Sequence, residues 1–157
     1  MSAQPSLYDE IQRVRKAYPQ SRSAIIPALR LAQERHGGWL PEAAFREVAE
    51  ALDVTPAYCL SIASFYDMFH TKPVGRHLVE VCTNISCALS GAQGVVQAFE
   101  RELGISIGET SEDGNVTLRA VECLGGCGWA TVVAVNNKHH LRMDGQRVRA
   151  LLAELTE

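Results

Sequence analysis

Up to about residue 70 the apolar positions recur at helical spacing. Leu7, Ile11, Val14 and Tyr18 share one side of a helix that Pro19 stops. Ser23 is placed to cap a second, running to about Arg35, with Pro27 tolerated early and Gly37-Gly38 ending it. Pro41 takes a favoured first-turn position in a third, to Leu52, with Phe45, Val48, Ala49 and Leu52 facing in. Thr55-Pro56 opens a fourth to about Tyr66. Together these make a small bundle over residues 6–69, and Lys72-Pro73-Val74-Gly75 breaks the pattern as a linker.

Beyond the linker the pattern changes. His77 to Val81 has the alternation and β-branching of a strand and runs straight into Cys82. Ala92 to Leu103 returns to helical spacing through Val95, Val96, Phe99 and Leu103, with Gly104 as its stop. Val116 to Glu122 is a second strand, entered from the turn-like residues 111–115 and ending at Cys123. A strand–helix–strand unit of this length predicts a right-handed crossover between parallel strands, whose C-terminal ends share one edge of the sheet. Thr131 to Val135 is a third strand, and Asn136-Asn137-Lys138 turns into a short fourth around His140 to Met143. A last helix, about Gln146 to Leu155, presents Val148, Leu151, Leu152 and Leu155. The chain therefore reads as α+β or α/β: a helical N-terminal domain over 1–72, then a β-α-β-β-β-α domain over 73–157.

Composition changes this picture little. Hydrophobic residues at 46% and charged residues at 21% suit a soluble globular chain. A net charge of −3 and the lack of a basic, aromatic-interleaved stripe argue against nucleic acid. There is no run of about 18 apolar residues and no basic-then-apolar leader, so neither membrane insertion nor export is expected.

The candidate chemistry sits at the predicted sheet edge. Cys82 and Cys87 form a C-x4-C pair and Cys123 and Cys127 a C-x3-C pair, with no cysteine between them. Parallel strands would bring both pairs onto neighbouring loops, where open α/β sheets place ligands. Four thiolates so arranged admit a [2Fe–2S] cluster with two cysteines per iron, a tetrahedral zinc, or redox disulfides. The redox option is weakened by the absence of C-x-x-C. Gly125, Gly126 and Gly128 around Cys127 allow backbone N–H groups close to the sulfurs, which suits a cluster more than a zinc staple.

Other candidates read as structure. Cys59, between apolar neighbours in the fourth helix, is a small buried hydrophobe. His139 and His140 lie in a turn at a strand start and are expected to be solvated, and His36 fits a helix C-terminus. Phe65, Tyr66, Met68 and Phe69 fit a core stripe before a partner surface. Glu34, Arg35, Glu47 and Glu50 read as solvated helix faces. No G-x-G-x-x-G follows a strand and no P-loop lysine motif occurs, so nucleotide binding is not expected of this chain.

The segments VCTNISC, then GAQ, then GETSEDGNVTLRAVECLGGCG resemble the NADH-quinone oxidoreductase E-subunit family. AIIPALRLAQERHGGWLP, IASFYDMF and PVGRH in the first half are similar to it as well, so the resemblance spans nearly the whole chain. It implies a thioredoxin-like domain carrying one [2Fe–2S] cluster behind a helical, partner-docking N-terminal domain, with Cys82, Cys87, Cys123 and Cys127 as ligands. It implies a redox component inactive alone, with FMN and NADH held by a flavoprotein partner of the F-subunit type and a large iron–sulfur subunit nearby. The implied place is the cytoplasmic, peripheral arm of respiratory complex I. NAD-linked formate dehydrogenases and bidirectional hydrogenases use similar subunits, and a zinc-stapled interaction module stands as the alternative of another class. The chain departs from the family in having Ala130-Thr131 where members often have Ala-Pro, and in the bulky Trp129.

Overall fold

Ser6 begins the first helix by accepting the Asp9 N–H on its hydroxyl at 3.2 Å. In the computed structural model, which describes residues 5–155, the chain divides into two compact units, Met1–Pro73 and Val74–Glu157.

The first unit consists of α1 (Leu7–Arg15), α2 (Ile25–Arg35), α3 (Glu42–Leu52) and α4 (Pro56–Phe65). Their apolar stripes meet in one core around Ile11, Ala28, Leu29, Leu40, Phe45, Val48, Leu52 and Cys59. Burying each large side chain there stabilises the unit by about 1.5–3 kcal/mol.

Three boundaries differ from expectation. Helix α1 stops at Arg15, short of Tyr18, because Ala17 and Tyr18 turn their N–H groups to the Val14 and Arg15 carbonyls. Ser23 does not cap α2. The chain enters it through a 3-10 turn, Ser21–Ala24, whose Ser21 hydroxyl donates to the Leu52 carbonyl at 2.5 Å. Pro41 is extended and precedes α3 rather than lying in its first turn, and Asp53 closes that helix with a left-handed φ of 55°.

The aromatic stripe is split: Phe69 is buried and Tyr66 packs partly against the core, whereas Phe65 is 79% and Met68 50% exposed. Two of the expected solvated charges are paired. Arg35 lies 2.9 Å from Glu10, and Glu47 lies 3.0 Å from the His36 ring at the end of α2. Such surface pairs contribute about 0–1 kcal/mol.

The second unit carries the sheet: β1 (His77–Cys82), β2 (Val116–Val121), β3 (Val133–Val135) and β4 (Lys138–His140), in the order β2-β1-β3-β4. β1 and β2 are parallel, β3 is antiparallel to β1, and β3 and β4 form a hairpin. Alternate residues of the first three strands (Val79, Val81, Val116, Leu118, Val133, Val135) join one core with α6 (Ala92–Leu103) and α7 (Gly145–Leu155). At its centre Phe99 is fully buried.

Gly75 lets the chain enter β1. A Cβ there would stand 2.9 Å from the Val116 carbonyl carbon and 3.0 Å from the Thr117 nitrogen. Its N–H donates to the Thr117 hydroxyl at 2.6 Å.

The fourth strand begins earlier than expected. Asn136 and Asn137, both at positive φ, make a two-residue turn that pairs Val135 with Lys138. His139 and His140 therefore lie within the strand, His139 exposed and His140 half-buried. Burial, with Lys138 and Arg147 nearby and Glu154 opposing, holds the His140 ring below its ordinary pKa. The third strand is shorter than expected, because Thr131 and Val132 are buried but precede it. Among the described residues no helix is long and apolar enough to cross a membrane.

Candidate metal centre

The parallel pairing of β1 and β2 sets the site. It places Cys82, the last residue of β1, directly beside Val121, the last residue of β2. The Thr83 N–H donates to the Val121 carbonyl at 3.0 Å, so both strands leave the sheet together.

After Cys82 the chain turns into α5 (Ile85–Leu89), a five-residue helix capped by Asn84, whose side chain accepts the Ile85 N–H at 2.7 Å. The hydrophobic pattern does not reveal this helix. Its one signal is Asn84, a favoured capping residue. It carries Cys87 back into the protein, where Cys82 and Cys87 are buried beside Ala92 and Val132, with Leu124 and Ala130 packed against them.

The second pair lies at the surface. Cys123 and Cys127 are exposed, and no cysteine of the chain is in a disulfide. Cys127 begins a 3-10 turn, Cys127–Trp129. Gly125, at a φ of +74°, aims its N–H at the Cys123 sulfur, 3.3 Å away. The Cys82 thiol stands 3.8 Å from the Glu122 carbonyl, which ties the first pair to the start of the second loop.

The cysteine spacing gives no sign of the part played by Thr131. It is buried, and its hydroxyl donates to the Ser90 carbonyl at 3.3 Å and the Cys87 carbonyl at 3.5 Å. It thus fastens the segment after the second pair to the end of α5. The peptide between Ala130 and Thr131 is cis.

Burial works to raise the Cys82 thiol. Hydrogen bonds from the Asn84 backbone, the Cys87 thiol and the Leu124 backbone outweigh it and leave Cys82 below its ordinary value. Burial raises Cys87, and Cys82 and Cys127 raise it further, against one backbone bond at Val132. One thiolate at Cys82 is thus favoured before the other.

The donor set is four free thiols on adjacent loops, two buried and two exposed, with a backbone N–H turned to sulfur. That fits a [2Fe–2S] core, which asks for two thiolates on each of two irons. Among the described residues no three His, Cys, Asp or Glu side chains stand close enough together to hold a metal ion, so the placement of the four thiols does not by itself separate a cluster from a zinc ion.

The profile of the thioredoxin-like [2Fe-2S] ferredoxins matches residues 11–156. The chain belongs to that family. As a thioredoxin-like ferredoxin it carries one [2Fe–2S] cluster, so among the cofactors compatible with the cysteine spacing the iron–sulfur one holds. It is 43% identical over 147 residues to NADH-quinone oxidoreductase E subunit 2 of Rhizobium meliloti (strain 1021), covering 94% of this chain and 87% of that protein. It is 40% identical over 141 residues to the NADH-quinone oxidoreductase E subunit of Rickettsia felis, covering 88% and 84%. A solved NAD+-reducing [NiFe]-hydrogenase in the air-oxidized state shares the fold, with a TM-score of 0.74 at 21% identity. That match covers 84% of this ferredoxin-family chain and 22% of the hydrogenase chain.

Proposed function

We propose that the chain is the electron-transfer E subunit of an NADH:quinone oxidoreductase, with its cluster held by Cys82, Cys87, Cys123 and Cys127. The observation that carries this reading is the arrival of both cysteine loops at one end of the parallel β1–β2 pair. Cys82 and Cys87 would hold the cluster from the buried side and Cys123 and Cys127 from the exposed side. Val132, Ala92, Leu124 and Ala130 keep water from the buried side. The Gly125 N–H tunes the Cys123 sulfur. When bound, the cluster supplies one-electron chemistry.

The same centre could serve an NAD-linked formate dehydrogenase or a bidirectional hydrogenase. Relatives at 43% and 40% identity favour the quinone oxidoreductase over the hydrogenase, whose likeness at 21% is one of fold.

The chain lacks a phosphate-cradling glycine motif. Flavin and NADH therefore belong to a partner of the F-subunit type, with the large iron–sulfur subunit close by, in the cytoplasmic peripheral arm of the complex. The helical unit docks the chain onto that flavoprotein. In support, α4 contains no charged residue, yet Leu60 is 45% and Phe65 79% exposed. Exposed apolar side chains of this size on one helix suit a surface that a partner covers.

Hydride transfer delivers two electrons and the cluster takes one, so a flavin must stand between them. Purified holo chain mixed with NADH should stay oxidised, and adding the flavoprotein subunit should make reduction fast. Bleaching of the isolated chain by NADH without flavin would overturn the assignment.

A further inference from the structure

Thr131 and Val132 are 1% and 0% exposed, and their polar groups reach both cysteines of the first pair. The Val132 carbonyl accepts the Cys82 N–H at 3.0 Å. The Val132 N–H turns to the Cys87 sulfur, where it is the one backbone bond that favours the thiolate against burial.

This dipeptide is itself held from two sides. The Thr131 carbonyl accepts the Met143 N–H at 2.8 Å, and Met143 belongs to the core that the sheet shares with α6 and α7. On the other side the Thr131 hydroxyl is shared between the Ser90 carbonyl at 3.3 Å and the Cys87 carbonyl at 3.5 Å. Helix α5 ends there, with Ser90 as its C-cap, and the last carbonyls of a helix take their donors from outside it. Cys87 is therefore held at its carbonyl by Thr131 and at its sulfur by the residue that follows. Without the hydroxyl, α5 can shift against Val132 and the N–H···S bond can lengthen.

Hydrogen bonds to ligating sulfurs favour the reduced, more negative state of an iron–sulfur centre. Two such donors stand here. The Gly125 N–H reaches the Cys123 sulfur at 3.3 Å, but Cys123 is exposed and water screens its charge. Cys87 is 2% exposed, and in that lower dielectric one N–H counts for more. The placement of Val132 against Cys87 is thus the stronger influence on the potential.

We propose that Thr131 is a positioning residue for electron transfer, whose hydroxyl locks the end of α5 to the segment after the second cysteine pair and thereby sets the reduction potential of the centre. This rests on the four-cysteine ligand set proposed above. The sign of the effect separates this role from simple loosening. Water admitted to the buried side would stabilise the added negative charge and raise the potential, whereas a longer N–H···S bond lowers it. Thr131→Val removes the hydroxyl and keeps the branched shape, so the bond lengthens while the site stays dry.

The test uses the full-length holo chain, titrated against redox mediators and followed by visible absorbance and EPR. At the potential where wild type is half reduced, the ratio of reduced to oxidised centre in Thr131→Val should fall by about threefold or more, a share of one net hydrogen bond. Thr131→Ser keeps the hydroxyl and should return most of the way to wild type. Coupling of an exchangeable proton to the reduced centre, read by ENDOR before and after transfer to deuterated water, should weaken in Thr131→Val and recover in Thr131→Ser. Thr117→Val is the control for stability alone. Thr117 is 5% exposed and its hydroxyl accepts the Gly75 N–H at 2.6 Å, near the start of β2 and away from the cysteine loops. That variant should unfold at lower temperature with its potential unchanged. If Thr131→Val does not take up iron, Thr131→Ala is read by the proton coupling, with the same loss expected.

A wild-type potential in Thr131→Val, with normal iron and sulfide content, would overturn the proposal and leave the ligand set standing. A raised potential would overturn it by showing that the hydroxyl keeps water out instead. An equal shift in Thr117→Val, or in Thr131→Ser, would overturn it by removing the hydroxyl at 131 as the cause. Loss of the centre from both hydroxyl-free variants, with Thr131→Ser loaded, would overturn it by making the hydroxyl a condition of assembly. A wild-type chain that holds zinc and no acid-labile sulfide would overturn both readings.

Discussion

A Cβ on Gly126 would stand 2.8 Å from the Cγ2 of Val132. Val132 is fully buried, and its carbonyl accepts the Cys82 N–H at 3.0 Å. The backbone of the Cys123–Cys127 loop therefore rests directly on the residue that seats the first pair. Glycine is needed at 126 for this close approach, since its φ of −101° suits any residue.

Gly126→Ala should push the loop away from Val132 and loosen the cluster, at a cost of about 1–3 kcal/mol for overpacking. Release of iron to a chelator should be faster than in wild type. Gly126→Ala combined with Val132→Ala should recover part of the loss, because the removed methyls make room for the new one. Release from the double variant as fast as the sum of the two single effects would show that this contact does not matter.

The five cysteines should fall into two classes. Ser in place of Cys82, Cys87, Cys123 or Cys127 should lose or strongly perturb the cluster, read by absorbance and EPR. Cys59→Ser should keep it, at a stability cost of about 1–3 kcal/mol for a hydroxyl in an apolar site. Burial pushes the Cys59 thiol up to about 11. The folded chain thus holds that proton more tightly than the unfolded one, and the associated stability is fully present below about pH 9. It declines as pH rises from there through about 11. Unfolding of wild type should show this decline and Cys59→Ala should lack that part of it.

Much of this arrangement is legible in the order of residues alone. Ala92–Leu103 has the bounds its periodicity predicts, because Val95, Val96, Phe99 and Leu103 keep one face and Gly104 takes the left-handed φ of 68° that ends a helix. The shared edge of the cysteine loops follows from two β-branched strands flanking that helix. What is not legible has local physical causes. α5 has five residues, too short for a period to show. The start of α2 is set by the hydrogen bond of Ser21 to Leu52, 31 residues away, which no local pattern carries. The fourth strand is displaced because two successive asparagines at positive φ close the hairpin in two residues. The thioredoxin-like class itself comes from the resemblance of whole motifs, since spacing alone allows zinc as well.

Docking by the helical unit makes a separate prediction. Phe65→Glu, at a 79% exposed position, should leave the cluster spectrum and the unfolding transition unchanged, with surface substitutions within about 0.5 kcal/mol. Affinity for the flavoprotein subunit should fall by about tenfold or more, as for the loss of an aromatic anchor. Unchanged affinity in this variant and in Leu60→Glu would remove the helical unit from the interface.

Elemental analysis of the purified chain tests most directly whether the four thiolates hold one iron–sulfur cluster. Iron and acid-labile sulfide should be present in equal amounts, about two of each per chain, without stoichiometric zinc. Stoichiometric zinc with no acid-labile sulfide would contradict it.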